Sequence, residues 1–338
     1  MPTARFHSAL LWEQLANQRV RCFACAHSCN IRPGRLGICG VRKNIEGSLY
    51  TSVYEYPVAV HSDPIEKKPL FHFLPGTRAL SLGTAGCNFD CSFCQNYEIS
   101  QMRGDEIKGN FLSVEKAVEM AKHSNCESIA YTYNEPVVFI EYVVDVAAEA
   151  KKRGLKNVYI SNGFESEETL DLLSDRIDAM NIDLKSFSDK FYRMYCRGKL
   201  KPVLNTIRSA YKKGIWLEIT TLIIPGENDS DEELRLIAGF IASISKDIPW
   251  HLSRFFPTYK MTNKAPTLVS TLERAREIGA EEGLQFIYLG NTPQDHGITF
   301  CASCGQKLII RDRYDLRYNF LDDGACPNCG QKLPGIFQ

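Results

Sequence analysis

The chain has 338 residues, enough for two ordinary domains or for one large α/β barrel with additions. Its 44% hydrophobic and 24% charged residues are typical of a globular protein, which excludes wholesale disorder. The 40 basic and 40 acidic side chains cancel, which argues against a protein that acts mainly on nucleic acid or an anionic membrane. Apolar runs fall short of the ~18 residues of a membrane span, and residues 1–11 do not resemble a signal peptide.

Cysteine is the unusual component, with 13 residues in the chain. All but Cys126 and Cys196 fall into three clusters whose members are a few residues apart. Disulfides usually join distant cysteines in exported proteins, whereas tight spacing without an export signal favours thiolates that hold soft metals. We therefore expect a cytoplasmic metal-binding protein. Cys126 lies in a polar stretch and is interpreted as a bystander.

The first cluster in chain order lies near the amino terminus. Its members are Cys22, Cys25, Cys29 and Cys39. Four thiolates this close together, with glycines that supply the turns, predict one closed metal site. Zinc and an auxiliary iron–sulfur cluster both use thiolates, so the sequence leaves both metals open.

The second cluster contains only three cysteines, Cys87, Cys91 and Cys94. It follows an apolar strand predicted at residues 79–83, so it lies on a loop at the carboxyl end of a strand, where α/β folds bind ligands. A cubane cluster has four irons, and three protein thiolates leave one of them open. An open coordination position is typical of a catalytic metal site.

After this loop, strand and helix patterns alternate. The predicted strands are 79–83, 128–133, 157–161, 179–184, 216–224 and 248–253, with 286–289 as a candidate seventh. The predicted helices are 114–122, 136–152, 166–173 and 231–244. Ser113 is expected to cap the first of them, and Ser230 with Glu233 forms a capping box for the last. Six strands separated by helices predict a parallel open barrel.

The third cluster consists of two Cys-x-x-Cys-Gly-Gln-Lys-Leu repeats near the carboxyl terminus. Its members are Cys301, Cys304, Cys326 and Cys329. Strands are predicted between the repeats at 308–310 and 314–321. Four thiolates form a closed tetrahedral site of the kind that structural zinc prefers, which predicts a zinc ribbon. A rubredoxin-like iron site is the alternative. The ribbon is interpreted as a stapled tail rather than an RNA- or protein-docking module.

The Cys-x3-Cys-x2-Cys spacing, with Phe93 before the third cysteine, resembles the radical S-adenosylmethionine (SAM) superfamily. The run from Gly86 to Asn96 is similar to the pyruvate formate-lyase activating enzyme branch. The whole chain is more similar still to the radical SAM enzyme of the AmmeMemoRadiSam system. That likeness rests on the amino-terminal cysteines, His72-Phe-Leu-Pro-Gly76, Tyr133-Asn-Glu-Pro136 and the terminal Cys-Pro-Asn-Cys-Gly.

This resemblance implies an α/β fold: a partial (β/α)6 TIM-like barrel over 76–292, with a cysteine-rich segment at 1–75 and a zinc ribbon at 293–338. It implies a [4Fe-4S] cluster on Cys87, Cys91 and Cys94, whose open iron binds SAM. One electron then cleaves SAM to methionine and a 5′-deoxyadenosyl radical, which abstracts a hydrogen atom from the substrate.

The resemblance also implies a set of SAM contacts at the strand ends. They are Phe93, Asn96, Glu135, Ser161, Asn162, Asp183, Lys185 and His251. Tyr133 and Asn134 replace two glycines of the family motif, and Ile160 replaces an aspartate that helps hold a cation. The structural alternatives are a helix-terminal carboxylate for Glu135, a surface ion pair for Asp183 with Lys185, and a satisfied buried histidine for His251.

The substrate is expected to be a small molecule or a partner protein, and the reductant a one-electron donor such as flavodoxin or ferredoxin. Three other functions stay open: a glycyl-radical enzyme activase, an RNA-modifying radical enzyme, and a non-catalytic zinc-stapled scaffold. Zero net charge counts against the RNA enzyme. Cys196 is expected near the mouth of the barrel, as a buried structural thiol or as a hydrogen-atom donor to a radical.

Overall fold

The computed structural model describes residues 6–292 and 297–338. Six short strands come first and form two antiparallel sheets of three strands, in the orders β1-β6-β5 and β2-β3-β4. Their bounds are His7–Ser8 (β1), Trp12–Gln14 (β2), Val20–Cys22 (β3), Cys29–Ile31 (β4), Arg42–Ile45 (β5) and Ser48–Thr51 (β6). These two small sheets carry the amino-terminal cysteines.

An eight-stranded sheet forms the centre of the molecule, and its strands lie side by side in chain order. They are Ala59–Pro64 (β7), Arg78–Gly83 (β8), Ser128–Tyr131 (β9), Lys156–Ser161 (β10), Ala179–Asp183 (β11), Trp216–Ile223 (β12), Trp250–Arg254 (β13) and Ile287–Gly290 (β14). Strands β8 to β14 are parallel, whereas β7 pairs antiparallel with β8. Among the described residues β7 and β14 are the edges, so the barrel is open, which confirms the predicted fold class and the seventh parallel strand.

Helices connect the parallel strands. They are Tyr97–Ser100 (α1), Val114–His123 (α2), Ile140–Lys152 (α3), Glu167–Leu173 (α4), Asp189–Phe191 (α5), Leu200–Lys212 (α6), Asp231–Ile244 (α7) and Val269–Glu281 (α8). The predicted helix 136–152 begins as a 3-10 turn over Pro136–Phe139. Helices α1, α5, α6 and α8 were not predicted from the sequence.

The two predicted helix caps have different outcomes. The Ser113 hydroxyl accepts a hydrogen bond from the Lys116 amide at 3.3 Å, which confirms that cap. Ser230 likewise accepts from the Glu233 amide at 3.2 Å. The other half of the capping box is wrong, because the Glu233 carboxylate accepts from the Phe187 amide at 2.6 Å and so holds the loop after β11.

The carboxyl-terminal ribbon packs against the end of the central sheet at which the parallel strands begin. It contains three antiparallel strands, Thr299–Phe300 (β15), Lys307–Asp312 (β16) and Asp315–Asn319 (β17). The segment before β8 joins it through a bridge between Phe73 and Ile336. Phe73 also packs with Ala79, Ala130 and Ala179 near the starts of β8, β9 and β11. The ribbon therefore covers the end of the barrel opposite to the cysteine loop.

The predicted domain boundaries receive no test from the architecture. The boundary at residue 293, where the ribbon segment was predicted to begin, lies outside the described residues. Within the described ranges, no helix has the length and apolar character needed to cross a membrane.

Candidate active site

The three-cysteine loop leaves the carboxyl end of β8, as predicted. Cys87 is buried, and Cys91 and Cys94 are partly buried. The Cys87 sulfur accepts a hydrogen bond from the Phe89 amide at 3.4 Å, and the Cys94 sulfur lies 3.4 Å from the Ser100 hydroxyl. Amide and hydroxyl donors around sulfur stabilise the thiolate form, which is the form that binds iron.

A π-helical turn, Tyr192–Cys196, holds this loop from the side of β11. The Asp90 amide donates to the Cys196 carbonyl at 3.1 Å, and the Ser92 amide donates to the Tyr195 carbonyl at 2.8 Å. The buried Cys196 thiol lies close enough to Cys91 to lower the pKa of Cys91. The structure thus places Cys196 close to a predicted iron ligand.

Lys185 and Asp183 lie at the carboxyl end of β11, beside the same loop. The Lys185 Nζ is 2.6 Å from Asp183 Oδ2 and 5.9 Å from the centre of the Phe93 ring. Burial opposes the charge of Lys185, but Asp183 and the Cys91 thiol outweigh it and hold the pKa of Lys185 above its usual range. The lysine side chain is 11% exposed and the aspartate side chain 37% exposed, so the SAM contacts of this pair stay a prediction.

Glu135 lies inside the site, where it connects the ends of β9 and β10. Its carboxylate accepts from the Asn162 amide at 2.8 Å, the Val137 amide at 3.2 Å and the Ser161 hydroxyl at 3.1 Å. The Ser161 hydroxyl also contacts Glu165. Burial first, and the nearby Glu165 second, raise the pKa of Glu135. This buried carboxyl pair was missed in the sequence, because nothing in the spacing shows that the two glutamates meet.

The two residues that replace glycines hold the backbone next to Cys87. Tyr133 has φ +73°, the left-handed conformation that glycine adopts easily. Its hydroxyl donates to Asp63 Oδ2 at 2.8 Å, and its carbonyl accepts from the Asn96 side chain. The Asn134 side chain donates to the Gly86 carbonyl. Tyr133 thus adopts a backbone conformation typical of glycine, and the hydrogen bonds of its hydroxyl and its carbonyl hold it in place.

His251 lies deeper, within the barrel. Its Nε2 is 2.6 Å from Glu218 Oε2, and its ring stacks on Tyr288 with 5.3 Å between ring centres. Glu218 also accepts from the amides of Phe71 and His72, at 2.9 and 2.7 Å. This arrangement matches a satisfied buried histidine and leaves only Nδ1 for a ligand. The SAM contact of His251 stays a prediction.

The carboxyl-terminal cysteines form a separate, compact centre. All four ligand sulfurs lie within 4.8 Å of one another, with Cys301–Cys329 at 3.6 Å and Cys304–Cys326 at 3.7 Å. Four thiolates around one zinc ion at about 2.3 Å have sulfurs about 3.8 Å apart. The geometry therefore suits a single tetrahedral ion. Because the ribbon covers the amino-terminal edge of the sheet, this centre is not part of the candidate active site.

The donor groups on the three-cysteine loop fit the iron–sulfur cluster and SAM that the resemblance implies. Three soft thiols and no fourth cysteine in the motif suit a cubane with one open iron. The Asn134 Oδ1 is buried and has no partner among the residues that the structure describes. Such an acceptor costs free energy unless a ligand supplies a donor, and the ammonium of SAM is a donor.

Comparison with known proteins identifies a family and relatives for the chain. Residues 81–237 match the family described as the radical SAM superfamily. The uncharacterised Methanocaldococcus jannaschii protein MJ0808 is 43% identical over 329 residues, which cover 96% of this chain and 98% of that protein. The pyruvate formate-lyase-activating enzyme of Clostridium pasteurianum is 21% identical over 172 residues, covering 50% of this chain and 71% of that enzyme.

A solved structure shows the same fold. A radical SAM methyltransferase from Sphaerobacter thermophilus superposes with a TM-score of 0.51 at 17% identity, over 70% of this chain and 71% of that chain. The matched family segment begins in β8 and includes the three-cysteine loop, Glu135 and Lys185. The resemblance to pyruvate formate-lyase activating enzymes is confirmed. The chain contains a radical SAM domain over residues 81–237.

Proposed function

We propose that this protein is an enzyme that cleaves SAM reductively at a [4Fe-4S] cluster held by Cys87, Cys91 and Cys94. When bound, the cluster and SAM supply a 5′-deoxyadenosyl radical that abstracts a hydrogen atom from the substrate. The observation that carries the proposal is the position of three thiols on one loop at the carboxyl end of the parallel strands, beside Lys185, whose side chain is 11% exposed.

The chain's own residues have distinct tasks at this edge. Lys185 is a fixed cation that offsets the negative charge of the thiolates and of a bound carboxylate. Asp183 orients Lys185, and its side chain is 37% exposed, which leaves it free to accept from ribose hydroxyls. Phe93 is buried and offers an aromatic face to adenine. Glu135 fixes the ends of β9 and β10, so it positions the binding edge.

The central experiment is an anaerobic purification with iron and sulfide analysis, followed by reduction with dithionite in the presence of SAM. We expect 5′-deoxyadenosine and methionine as products. Cys91→Ala removes one iron ligand and is expected to abolish 5′-deoxyadenosine formation. Cys126→Ala is the matched control and should leave the yield unchanged. A Cys91→Ala variant that cleaves SAM normally would contradict the assignment.

The reductant is proposed to be a one-electron protein donor of the flavodoxin or ferredoxin type, and the substrate a small molecule or a partner protein. A relative named as a pyruvate formate-lyase-activating enzyme supports the second candidate function, which is activation of a glycyl residue in a partner protein. Deuterated candidate substrates distinguish the two, because the substrate that reacts transfers deuterium into 5′-deoxyadenosine.

A further inference from the structure

We propose that the four amino-terminal cysteines hold a second [4Fe-4S] cluster rather than a zinc ion. We further propose that this cluster passes single electrons to the three-cysteine site. The second statement rests on the proposed function, whereas the first does not. The sequence left zinc and iron–sulfur equally compatible with Cys22, Cys25, Cys29 and Cys39, and the tertiary structure supplies four observations that separate them.

The first observation is the spacing of the sulfurs. In the ribbon, all four ligand sulfurs lie within 4.8 Å of one another, as a single ion requires. Among the residues that the structure describes, no other set of three or more possible ligand groups meets this limit, so the amino-terminal four do not. A cubane binds each thiolate at a different iron corner, which keeps the sulfurs farther apart than around one ion.

The second observation is the lining between these cysteines. All four line a single cavity. Its remaining wall includes the apolar side chains of Ile31, Val137 and Val138. An apolar wall protects the sulfide of an iron–sulfur cluster from water.

The third observation is a charged donor at one of the sulfurs. The Arg42 guanidinium is 2% exposed and donates through Nη1 to the Cys22 sulfur at 3.2 Å and to the Leu10 carbonyl at 3.0 Å. Its Nη2 pairs with the equally buried Glu141. Hydrogen bonds to ligand sulfur stabilise the more negative, reduced state of an iron–sulfur cluster. A buried arginine in this position can set the reduction potential of an iron–sulfur cluster. A zinc site does not need such a group.

The fourth observation is the location of the amino-terminal cysteines next to the three-cysteine loop. Asn88 lines the cavity and directly follows Cys87 in the chain, so the Cα atoms of these two residues are about 3.8 Å apart. His27 Nε2 lies 2.7 Å from the Asn88 carbonyl oxygen. On the other side, a Cβ built on Gly86 would lie 2.6 Å from the Cys39 carbonyl, so only glycine permits this approach. The two cysteine sites therefore share one wall, while the ribbon lies at the far edge of the sheet.

This shared wall gives an electron a short path to the site. A reduced protein donor gives one electron to the amino-terminal cluster, which passes from the 2+ to the 1+ state while the donor is oxidised by one electron. Transfer across the wall returns this cluster to 2+ and reduces the three-cysteine cluster from 2+ to 1+. No bond forms or breaks, and no proton moves, in either transfer.

The experiment uses the full-length triple variant Cys87→Ala, Cys91→Ala, Cys94→Ala, purified anaerobically. We expect about four irons and four sulfides per chain, one zinc in the ribbon, and an electron paramagnetic resonance signal after dithionite reduction that SAM does not alter. Two zinc ions and no iron, or an empty amino-terminal site, would overturn the proposal. Because this variant cannot bind the catalytic cluster, its result is independent of the proposed function.

The relay is tested in the reverse variant, Cys22→Ala with Cys25→Ala. It should lose the amino-terminal iron, keep one zinc, and lose 5′-deoxyadenosine formation driven by flavodoxin while the dithionite-driven reaction persists. If the flavodoxin-driven and dithionite-driven rates keep the ratio that they have in the unmodified protein, the relay is overturned. Cys29→Ser guards against misfolding, since a serine oxygen can replace the thiolate. It should retain iron with a changed resonance signal, and an unchanged signal would count against this ligand set.

Discussion

At the scale of single residues, Tyr133 occupies a position where the resemblance to the family implies glycine, and it still adopts a glycine-type backbone conformation. A non-glycine residue at φ +73° costs roughly 1–3 kcal/mol and persists only where its surroundings fix it. The Tyr133 hydroxyl donates to Asp63, which is also paired with Lys68 at 2.8 Å. The Lys68 Nζ lies 4.6 Å from the centre of the tyrosine ring. These contacts offset the strain and keep the strand end in place.

The Cys196 thiol is close to Cys91, which is a proposed iron ligand. We expect it to be a hydrogen-bond donor to that ligand and not a fourth iron ligand. Cys196→Ala should therefore retain the full iron content and SAM cleavage. Since a donor to ligand sulfur favours the reduced cluster, its loss should shift the midpoint potential of the catalytic cluster to a more negative value. Iron analysis and a redox titration with SAM test this.

Two outcomes would contradict this expectation. Loss of iron from Cys196→Ala would show that the thiol is a ligand, and the open iron position would then be closed. An unchanged potential would show that the hydrogen bond does not act on the cluster. Cys126→Ala is again the matched control, because Cys126 is a buried thiol whose sulfur lies 3.4 Å from the Ser62 hydroxyl, near the start of β9.

At the scale of elements, the segment before β8 joins the ribbon to the barrel through His72. Its Nδ1 lies 2.7 Å from the Pro334 carbonyl oxygen, and its Nε2 lies 2.6 Å from the Tyr288 hydroxyl. His72 is fully buried, and burial lowers the pKa of its imidazole to about 4. The neutral ring is therefore part of the folded contact between the ribbon and the sheet.

This contact predicts a pH dependence of stability. The pKa of His72 is about 4 in the folded chain and about 6.5 when unfolded, so the unfolded chain binds the extra proton between these values. Its contribution is fully present above pH 6.5 and is lost as the pH falls towards 4. The expected loss is about 2 kcal/mol in the free energy of unfolding between pH 7 and pH 5.

Urea unfolding at both pH values measures this loss. His72→Gln keeps hydrogen-bonding capacity but does not titrate, so it should be less sensitive to pH by the same amount. Acid release of metal affects both chains equally and cancels in the difference. An identical pH dependence for the two chains would contradict the assignment to His72.

The position of the ribbon predicts how the protein responds to the loss of the metal ion that its four cysteines are expected to hold. Cys304→Ser with Cys329→Ser removes two exposed ligands of the compact centre, and we expect loss of one metal ion and a lower melting temperature. Iron content and the dithionite-driven cleavage of SAM should be retained, because the ribbon covers the opposite edge of the sheet. Iron that falls in parallel with zinc would show that the two ends are coupled.

At the scale of the whole molecule, the net charge is zero, but the surface near Cys39 is locally basic. The turn that leads to Cys39 exposes Arg32 and Arg35, and next to them the apolar Leu36 and Ile38 are 38% and 52% exposed. Ile38 also lines the amino-terminal cavity. An apolar centre with basic neighbours, next to the proposed second cluster, suits the acidic surface of an electron-donor protein.

Charge reversal on this surface predicts a change in rate. Arg32→Glu with Arg35→Glu should slow reduction by an acidic flavodoxin on the order of tenfold at low salt, with a smaller difference at high salt, because screening weakens steering. Stopped-flow reduction at two ionic strengths measures this. Lys307→Glu with Lys332→Glu makes the same charge change on the exposed ribbon and should have little effect. Equal slowing by both pairs would contradict a docking site at the turn.

The sequence alone was sufficient for the family and for the open parallel barrel with its seven parallel strands. These are carried by local patterns: the spacing of Cys87, Cys91 and Cys94, and apolar runs that alternate with amphipathic helices. Helix α6 was missed because Pro202 lies in its first turn and hides the periodicity. β7 was missed because its sequence, Ala-Val-His-Ser-Asp-Pro, carries polar residues of an edge strand.

Contacts between distant segments were decided only by the tertiary structure. Glu135 meets Glu165, and His251 is turned towards Glu218, through side-chain directions that no spacing in the chain encodes. Metal sites are also decided at this level. The spacing of cysteines in the sequence indicates the candidate ligands, but the distances between their sulfur atoms distinguish a single ion from a cluster. Local patterns fix what each segment can form, since they depend on neighbouring residues. Which segments meet depends on packing of the whole chain, and that is why two similar cysteine groups lie at opposite ends of one sheet.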